Sequence, residues 1–394
     1  MSNCKVFLKP KKEESLERFH PWVFSGAIQR IEGKPAEGDL VEVYGADRRF
    51  LAIGHYQIGS IAVRVLSFTP RVIDEAFWKD RLGVAYALRQ SLGLVGREDT
   101  NTYRLVHGEG DNLPGLVIDI YAHTAVMQAH SVGMHQARHQ VAEALREVVG
   151  DRLRNIYYKS EATLPFKANL DSEDGYLLGG DTDELPIENG LRFYVDWVRG
   201  QKTGFFVDQR ENRSLLERYA KDRSVLNMFC YTGGFSFYAM RGGAKRVHSV
   251  DSSAKAILLT RKNVEINFPG DPRHEAYVED AFKYLERMER DYDLIILDPP
   301  AFAKHKNVLR NALQGYRKLN AIAFEKIKPG GILFTFSCSQ VVSKEDFRLA
   351  IFTAAAQSRR SVRILHQLTQ PADHPINIYH PEGEYLKGLV LYVE

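Results

Sequence analysis

The stretch 224–298 decides the fold. Within it SVLNMF (224–229), RVHSVD (246–251), HEAYVED (274–280) and YDLIILD (292–298) alternate with the helical patterns AKAILLTRKNVEIN (254–267) and AFKYLERMER (281–290). Short apolar or β-branched runs separated by helix-length segments predict an α/β fold, an open, parallel, doubly wound sheet. A helix over about 307–327, the strand GILFTFSCS (331–339), another helix, and the runs VRILHQLTQ (362–370) and GLVLYVE (388–394) continue the pattern. Sheets of this kind bind ligands at the carboxyl ends of their strands, so the polar residues found there are the first candidates for function.

Working outward, the pattern changes twice. Residues 1–72 hold short alternating runs such as DLVEVYGADRRFLAIGHYQIGSIAVRVLSF, broken by Gly-containing turns, and read as a small β-barrel-like domain. A helix is expected over 73–94, followed by strands and a helix up to 186, which makes 73–186 a second α+β domain. The doubly wound domain then occupies 187–394.

A chain of 394 residues with 44% hydrophobic content can fill several cores, as this division requires. Three cysteines without paired spacing (Cys4, Cys230, Cys338) fit a reducing cytoplasm better than a disulfide scaffold. The opening residues lack a continuous apolar run, so neither a signal peptide nor a membrane span is expected, and no later window has transmembrane length. The formal net charge of +3 lies entirely in 1–72, where 11 Lys and Arg face 8 Asp and Glu. A second basic block, 301–320, carries five Lys or Arg and no acid. Blocks like these suit phosphate contacts, although a solvated helix face is the commoner explanation of a modest charge run.

The strand ends carry the chemistry. After the first strand comes NMFCYTGGFSFYA, where Gly233 and Gly234 allow close approach of backbone to a ligand, or simply make a tight turn; this is not the dinucleotide fingerprint. Asp251 ends the second strand, where an acid can accept from ribose hydroxyls, and Asp280 ends the third, with Phe282 available to stack on a base. Either acid could instead cap the next helix. Together they suggest an adenosyl ligand without phosphates, S-adenosylmethionine rather than NAD. Asp298 ends the fourth strand, before two prolines that remove amide donors and hold the backbone extended. Cys338, flanked by serines at the next strand end, reads as a nucleophile that adds to C6 of a pyrimidine and so activates C5. Cys4 and Cys230 read as packing residues.

The motifs KTGFFVDQRENR, VLNMFCYTGGFS, VDSS, LDPPAFAK and FSCS resemble those of the class I ribosomal RNA methyltransferases that make 5-methylcytidine, the large-subunit methyltransferase I type. The resemblance covers nearly the whole chain. It implies an N-terminal PUA domain, a central α+β domain and a C-terminal Rossmann-like methyltransferase domain. It also implies S-adenosylmethionine contacts around Phe205, Arg210, Asn227, Phe229, Tyr231, Thr232, Gly233, Asp251 and Asp280, with Cys338 as nucleophile and Asp298 holding or protonating the base at N3. The implied partner is ribosomal RNA, 23S above all, with the target cytosine flipped or unpaired. The net positive charge of the N-terminal segment makes Lys9, Lys11, Lys12, Arg48 and Arg49 candidates for phosphate contacts, though each alone is more often a solvated surface residue. A homodimer is suggested only by the resemblance, and no motif identifies the base that removes the C5 proton.

Two other readings stand beside this one: a guanine or exocyclic-amine RNA methyltransferase in which Cys338 is incidental, and a non-catalytic RNA-binding assembly factor. No metal is expected, because His130, His135 and His139 place at most two rings on one helical face with no further ligand.

Overall fold

The computed structural model describes residues 4–165, 170, 173–303 and 305–394. Lys304, which closes the LDPPAFAK motif, lies outside the described residues. The chain divides into two compact units. Among the described residues no helix is long and apolar enough to cross a membrane.

The first unit comprises the described residues up to Ile187 together with Val195–Val207 and Ala372–Gly383. Its six-stranded sheet contains β1 (Lys5–Leu8), β2 (Trp22–Phe24), β3 (Ile28–Glu32), β4 (Leu40–Tyr44), β5 (Phe50–Tyr56) and β6 (Ile61–Ser67), in the order β2-β6-β5-β4-β1-β3. Alternation decides which side chains are buried: Val41 and Val43 of β4 are buried, while Leu40, Glu42 and Tyr44 between them are half-exposed. Register shifts at Val43/Tyr44 and Ile53/Gly54 bend the sheet.

The helix expected over 73–94 is α1 (Glu75–Ser91), started by Asp74, whose side chain accepts from the Phe77 amide. It packs Phe77, Trp78, Leu82 and Ala85 into the core of a five-stranded sheet. That sheet contains β7 (Thr102–His107), β8 (Leu116–Tyr121), β9 (Thr124–Ala129), β10 (Asn155–Tyr158) and β11 (Gly175–Leu178), in the order β11-β10-β9-β8-β7. The one parallel pair, β9 with β10, is joined by the crossover helix α2 (Arg138–Val149). Inside, Arg89 is fully buried and donates to both oxygens of Asp111 (2.5 and 2.8 Å) and to the Asp373 carbonyl (2.7 Å). The Asp373 carboxylate accepts from the Arg104 amide (3.0 Å), so Ala372–Gly383 is fixed to this unit by buried polar bonds.

The second unit comprises Glu188–Tyr194, Asp208–Pro371 and Glu384–Glu394. Its sheet holds β12 (Ser224–Met228), β13 (Arg246–Asp251), β14 (His274–Val278), β15 (Leu294–Leu297), β16 (Gly331–Ser337), β17 (Val362–Thr369) and β18 (Lys387–Val393), in the order β14-β13-β12-β15-β16-β18-β17. The helices are α3 (Arg210–Ala220), α4 (Gly234–Arg241), α5 (Ala254–Asn267), α6 (Ala281–Arg287), α7 (Leu309–Lys326) and α8 (Lys344–Ser358).

The central strand β15 is buried at every position because both faces are covered. Ile295 and Leu297 pack with Leu319 and Phe324 of α7 and Phe347 of α8, while Leu294 and Ile296 pack on the opposite face with Leu216 of α3 and Ala239 of α4. The α/β doubly wound reading therefore holds, with one difference. The sheet is not wholly parallel: β18 inserts antiparallel between β16 and β17. The connection from Thr369 to Lys387 contains no crossover helix, and a strand returning without one must run antiparallel.

Candidate active site

At the end of β12 the chain passes through Phe229, Cys230, Tyr231, Thr232 and Gly233 into α4. Phe229 (φ 58°), Tyr231 (φ 47°) and Gly233 (φ 84°) are left-handed. For the two aromatic residues this conformation costs about 1–2 kcal/mol each, and it persists only where the surroundings impose it. The Tyr231 amide donates to Asp251 Oδ2 (3.0 Å). From α5, the Thr260 hydroxyl donates to the Tyr231 carbonyl (2.9 Å) and Asn263 Nδ2 to the Thr232 carbonyl (2.9 Å). Gly233 is required here: besides its positive φ, a Cβ would lie 2.7 Å from Thr260 Cγ2. Cys230 is buried against Thr260, and burial pushes its thiol pKa up, so it is a packing residue as read from the sequence.

Beneath this loop runs a buried polar chain. Asn227 Nδ2 donates to Ser236 Oγ (2.8 Å), which lies 2.6 Å from Ser249 Oγ, itself 2.8 Å from His274 Nε2. Burial lowers the His274 pKa to about 4, which keeps that end neutral. Asn227 Oδ1 and Thr232 Oγ1 are buried with no hydrogen-bond partner among the described residues. Groups like these at a strand end suit a polar ligand of the adenosyl type, since unsatisfied buried acceptors and hydroxyls are otherwise unfavourable.

Asp251, half-buried at the end of β13, accepts from the amides of Tyr231 and Ser253 (3.0 and 2.9 Å). A carboxylate has about four lone-pair sites, so acceptor capacity for a diol remains. Asp280 is exposed and caps α6 through one oxygen, which accepts from the Lys283 amide (3.0 Å). The capping alternative raised from sequence is thus realised, with the second oxygen left for other uses. Phe282 beside it is half-buried, with Lys318 Nζ 5.4 Å from its ring centre. Arg210 is buried at the start of α3, its Nε 3.3 Å from Glu211. Phe205 is buried in the first unit.

The second cluster sits at the ends of β15 and β16, adjacent parallel strands in which Leu297 pairs with Thr335. Asp298 follows Leu297 directly, and Cys338 lies three residues beyond Thr335. Asp298 is half-buried and accepts from Gln209 Nε2 (3.0 Å), whose own amide oxygen accepts from Asn212 (2.6 Å). Burial, helped by the nearby Asp208 carboxylate, raises the Asp298 pKa to about 7, against the opposing bond from Gln209. This carboxyl can therefore hold or release a proton near neutral pH.

Cys338 is half-buried between two fixed serines. Ser337 Oγ donates to the Tyr316 hydroxyl (2.8 Å), and Ser339 Oγ donates to the Ala303 carbonyl (2.5 Å), tying the loop after Asp298 to the loop after Cys338. Tyr316 feels the charges of both Cys338 and Asp298, and its own pKa is pushed up to about 12, chiefly by burial. From β18 the buried Lys387 donates to the carbonyls of Ser339 (2.7 Å) and Val342 (2.6 Å). Its pKa is lowered to about 8 by burial, against the opposing charges of Cys338 and Glu384.

Asn227, Phe229, Tyr231, Thr232, Gly233 and Asp251 thus gather around one loop, and Asp298 and Cys338 end adjacent strands. Sequence reasoning missed Gln209, Tyr316 and Lys387. Gln209 lies inside a recognised motif, but nothing local marks the other two.

Residues 162–386 match the family model described as S-adenosylmethionine-dependent methyltransferase, and residues 6–68 match that of a PUA-like domain. The chain is 42% identical, over 98% of each sequence, to the Ribosomal RNA large subunit methyltransferase I of Tolumonas auensis. It is 41% identical, over 99% of each, to the protein of the same name from Shewanella denitrificans. Among solved structures, one described as a SAM-dependent methyltransferase from Streptococcus mutans superposes with a TM-score of 0.84 at 23% identity, covering 99% of this chain and 100% of that one. A second, a methyltransferase complexed with SAH, gives 0.85 at 24% identity with the same coverage. At that identity the structural likeness is one of fold.

Proposed function

Because the chain belongs to the S-adenosylmethionine-dependent methyltransferases, in the ribosomal RNA large subunit methyltransferase I family, we propose that it methylates C5 of a cytidine in 23S ribosomal RNA through a covalent bond from Cys338 to C6. The observation that carries the reading is the placement of Asp298 and Cys338 on the ends of adjacent strands, next to the loop Phe229–Gly233.

S-adenosylmethionine would be held by Asn227, Thr232, Asp251 and the loop between them, and would supply the electrophilic methyl group. Everything else falls to the chain. C5 of cytosine is a weak nucleophile because the C5=C6 electrons belong to the conjugated ring, which draws them toward N3 and the C2 carbonyl. Cys338 adds as the thiolate, its proton having been lost to solvent beforehand: an S–C6 bond forms and the C5=C6 electron pair moves onto C5. A proton on the Asp298 carboxyl, poised by a pKa of about 7, is held against N3, where the displaced charge is delocalised. After methyl transfer a base removes the C5 proton, the C5=C6 bond re-forms and Cys338 leaves as the thiolate. Lys387 and the two serines fix the loop that carries the sulfur. The ring must lie open to attack above its plane, so the cytosine is single-stranded or flipped. The PUA-like domain, with exposed Lys11, Lys12 and Arg48, would hold flanking phosphates.

The test is nucleoside mass spectrometry of unmodified ribosomal RNA incubated with labelled S-adenosylmethionine and either parent or Cys338→Ala. 5-Methylcytidine formed by the parent alone supports the proposal. Methylguanosine, or equal 5-methylcytidine from the variant, defeats it.

A further inference from the structure

The first unit brings together three potential ligands from the two ends of the chain. His20 precedes β2, and His380 and Glu382 belong to the segment Ala372–Gly383. His20 Nε2 lies 3.5 Å and His380 Nε2 3.8 Å from the same oxygen, Glu382 Oε2, and all three ligand atoms fall within 4.8 Å of one another. A tetrahedral zinc ion with bonds of about 2.0–2.1 Å holds its ligand atoms about 3.3 Å apart, close to two of these three edges. His380 supplies an independent sign. It is 2% exposed, yet neither of its ring nitrogens has a hydrogen-bond partner among the described residues. Buried imidazoles are otherwise almost always bonded, and a neutral ring in such a place is a ready ligand for a cation.

From this geometry we propose that His20, His380 and Glu382 bind a divalent transition-metal ion of the zinc type, with the fourth position open to water, as a staple between the N-terminal sheet and the segment Ala372–Gly383. Two imidazoles and one carboxylate are a donor set that suits zinc and cobalt and disfavours magnesium and calcium. The surroundings complete the requirement. His20 Nδ1 accepts from the Trp22 amide (3.2 Å) and lies 3.4 Å from the Trp22 carbonyl, so metal on Nε2 displaces the proton there and requires Nδ1 to turn its own proton to that carbonyl in place of the amide contact. The Glu109 carboxylate, which accepts from Trp22 Nε1 at 2.8 Å, adds negative charge close to His380. Because metal binds the folded unit, it stabilises the attachment of Ala372–Gly383 in proportion to its affinity.

The test is titration of the chelator-treated full chain with Co2+ at neutral pH, read by visible absorption and displaced with Zn2+, for the parent, Glu382→Gln and His380→Ala. The proposal expects one ion per chain with the absorption of a low-coordinate cobalt site, affinity weakened at least about tenfold in both variants, and metal-dependent protection of 372–383 from hydrogen exchange. Glu382 is exposed, so its variant folds whether or not metal binds. Glu382→Gln retaining the parent affinity, or a parent that takes up no stoichiometric ion, would overturn it.

Discussion

Replacing Asp298 with Asn separates a poised carboxyl from an ordinary one. Raising a carboxyl from 3.8 to about 7 disfavours its charged form by about 4 kcal/mol at most. The sign follows from linkage. The folded pKa lies above the unfolded one, so the native state binds more protons between the two values, and stability falls as pH rises through that window. Asn cannot ionise and escapes this loss. The stability of Asp298→Asn relative to the parent should therefore climb by about 1.4 kcal/mol per pH unit from about pH 4 to 7, then level off. Urea denaturation of both proteins at half-unit pH steps reads the difference directly, and effects common to both cancel. Asp208 supplies part of the shift, so in an Asp208→Asn background the plateau should begin at lower pH. Methyl transfer should meanwhile drop by about 10²–10⁴, the usual worth of a positioned proton donor. A stability difference that is flat from pH 4 to 8 would refute the assignment, since Asp298 would then titrate as an exposed acid does.

Further outcomes can be checked separately. Asn227→Leu removes a buried polar side chain whose Oδ1 has no partner among the described residues, and should weaken S-adenosylhomocysteine binding by about 1–3 kcal/mol in calorimetry. Gly233→Ala places a Cβ against Thr260 at φ +84°, and should lower both thermal stability, by about 1–3 kcal/mol, and cofactor affinity. Arg89→Met leaves Asp111 buried without its charge partner, and should destabilise the first unit by about 3–5 kcal/mol in chemical denaturation.

The strand-end residues were legible because a strand's period and the turn after it fix which residue stands at its mouth. Asp251 closes β13, Asp298 and Cys338 directly follow β15 and β16, and Asp280 stands two residues beyond β14, so all four lie at strand ends as read from the sequence. What stayed hidden depends on partners distant in the chain. Lys387 reaches the loop after Cys338 only because β18 inserts antiparallel and sets Ser337 opposite Lys387, a register with no local signature. Tyr316 looks like one more apolar position of α7 until the fold brings Ser337 to its hydroxyl. The segment Ala372–Gly383 has neither helical nor strand period, so its attachment to the first unit through Asp373 could not be foreseen. His20 and His380 could not be paired for the same reason.

The central claim is the covalent step, and the most direct measurement replaces the target cytidine with 5-fluorocytidine in an RNA fragment that the protein methylates. After methyl transfer the fluorine on C5 cannot be removed as a proton is, so elimination of the sulfur is blocked and the adduct persists. The account predicts a protein–RNA band stable on a denaturing gel, dependent on S-adenosylmethionine, absent in Cys338→Ala and mapped by mass spectrometry to Cys338. Full methylation of ordinary RNA with no trapped complex, or a complex that survives Cys338→Ala, would contradict it.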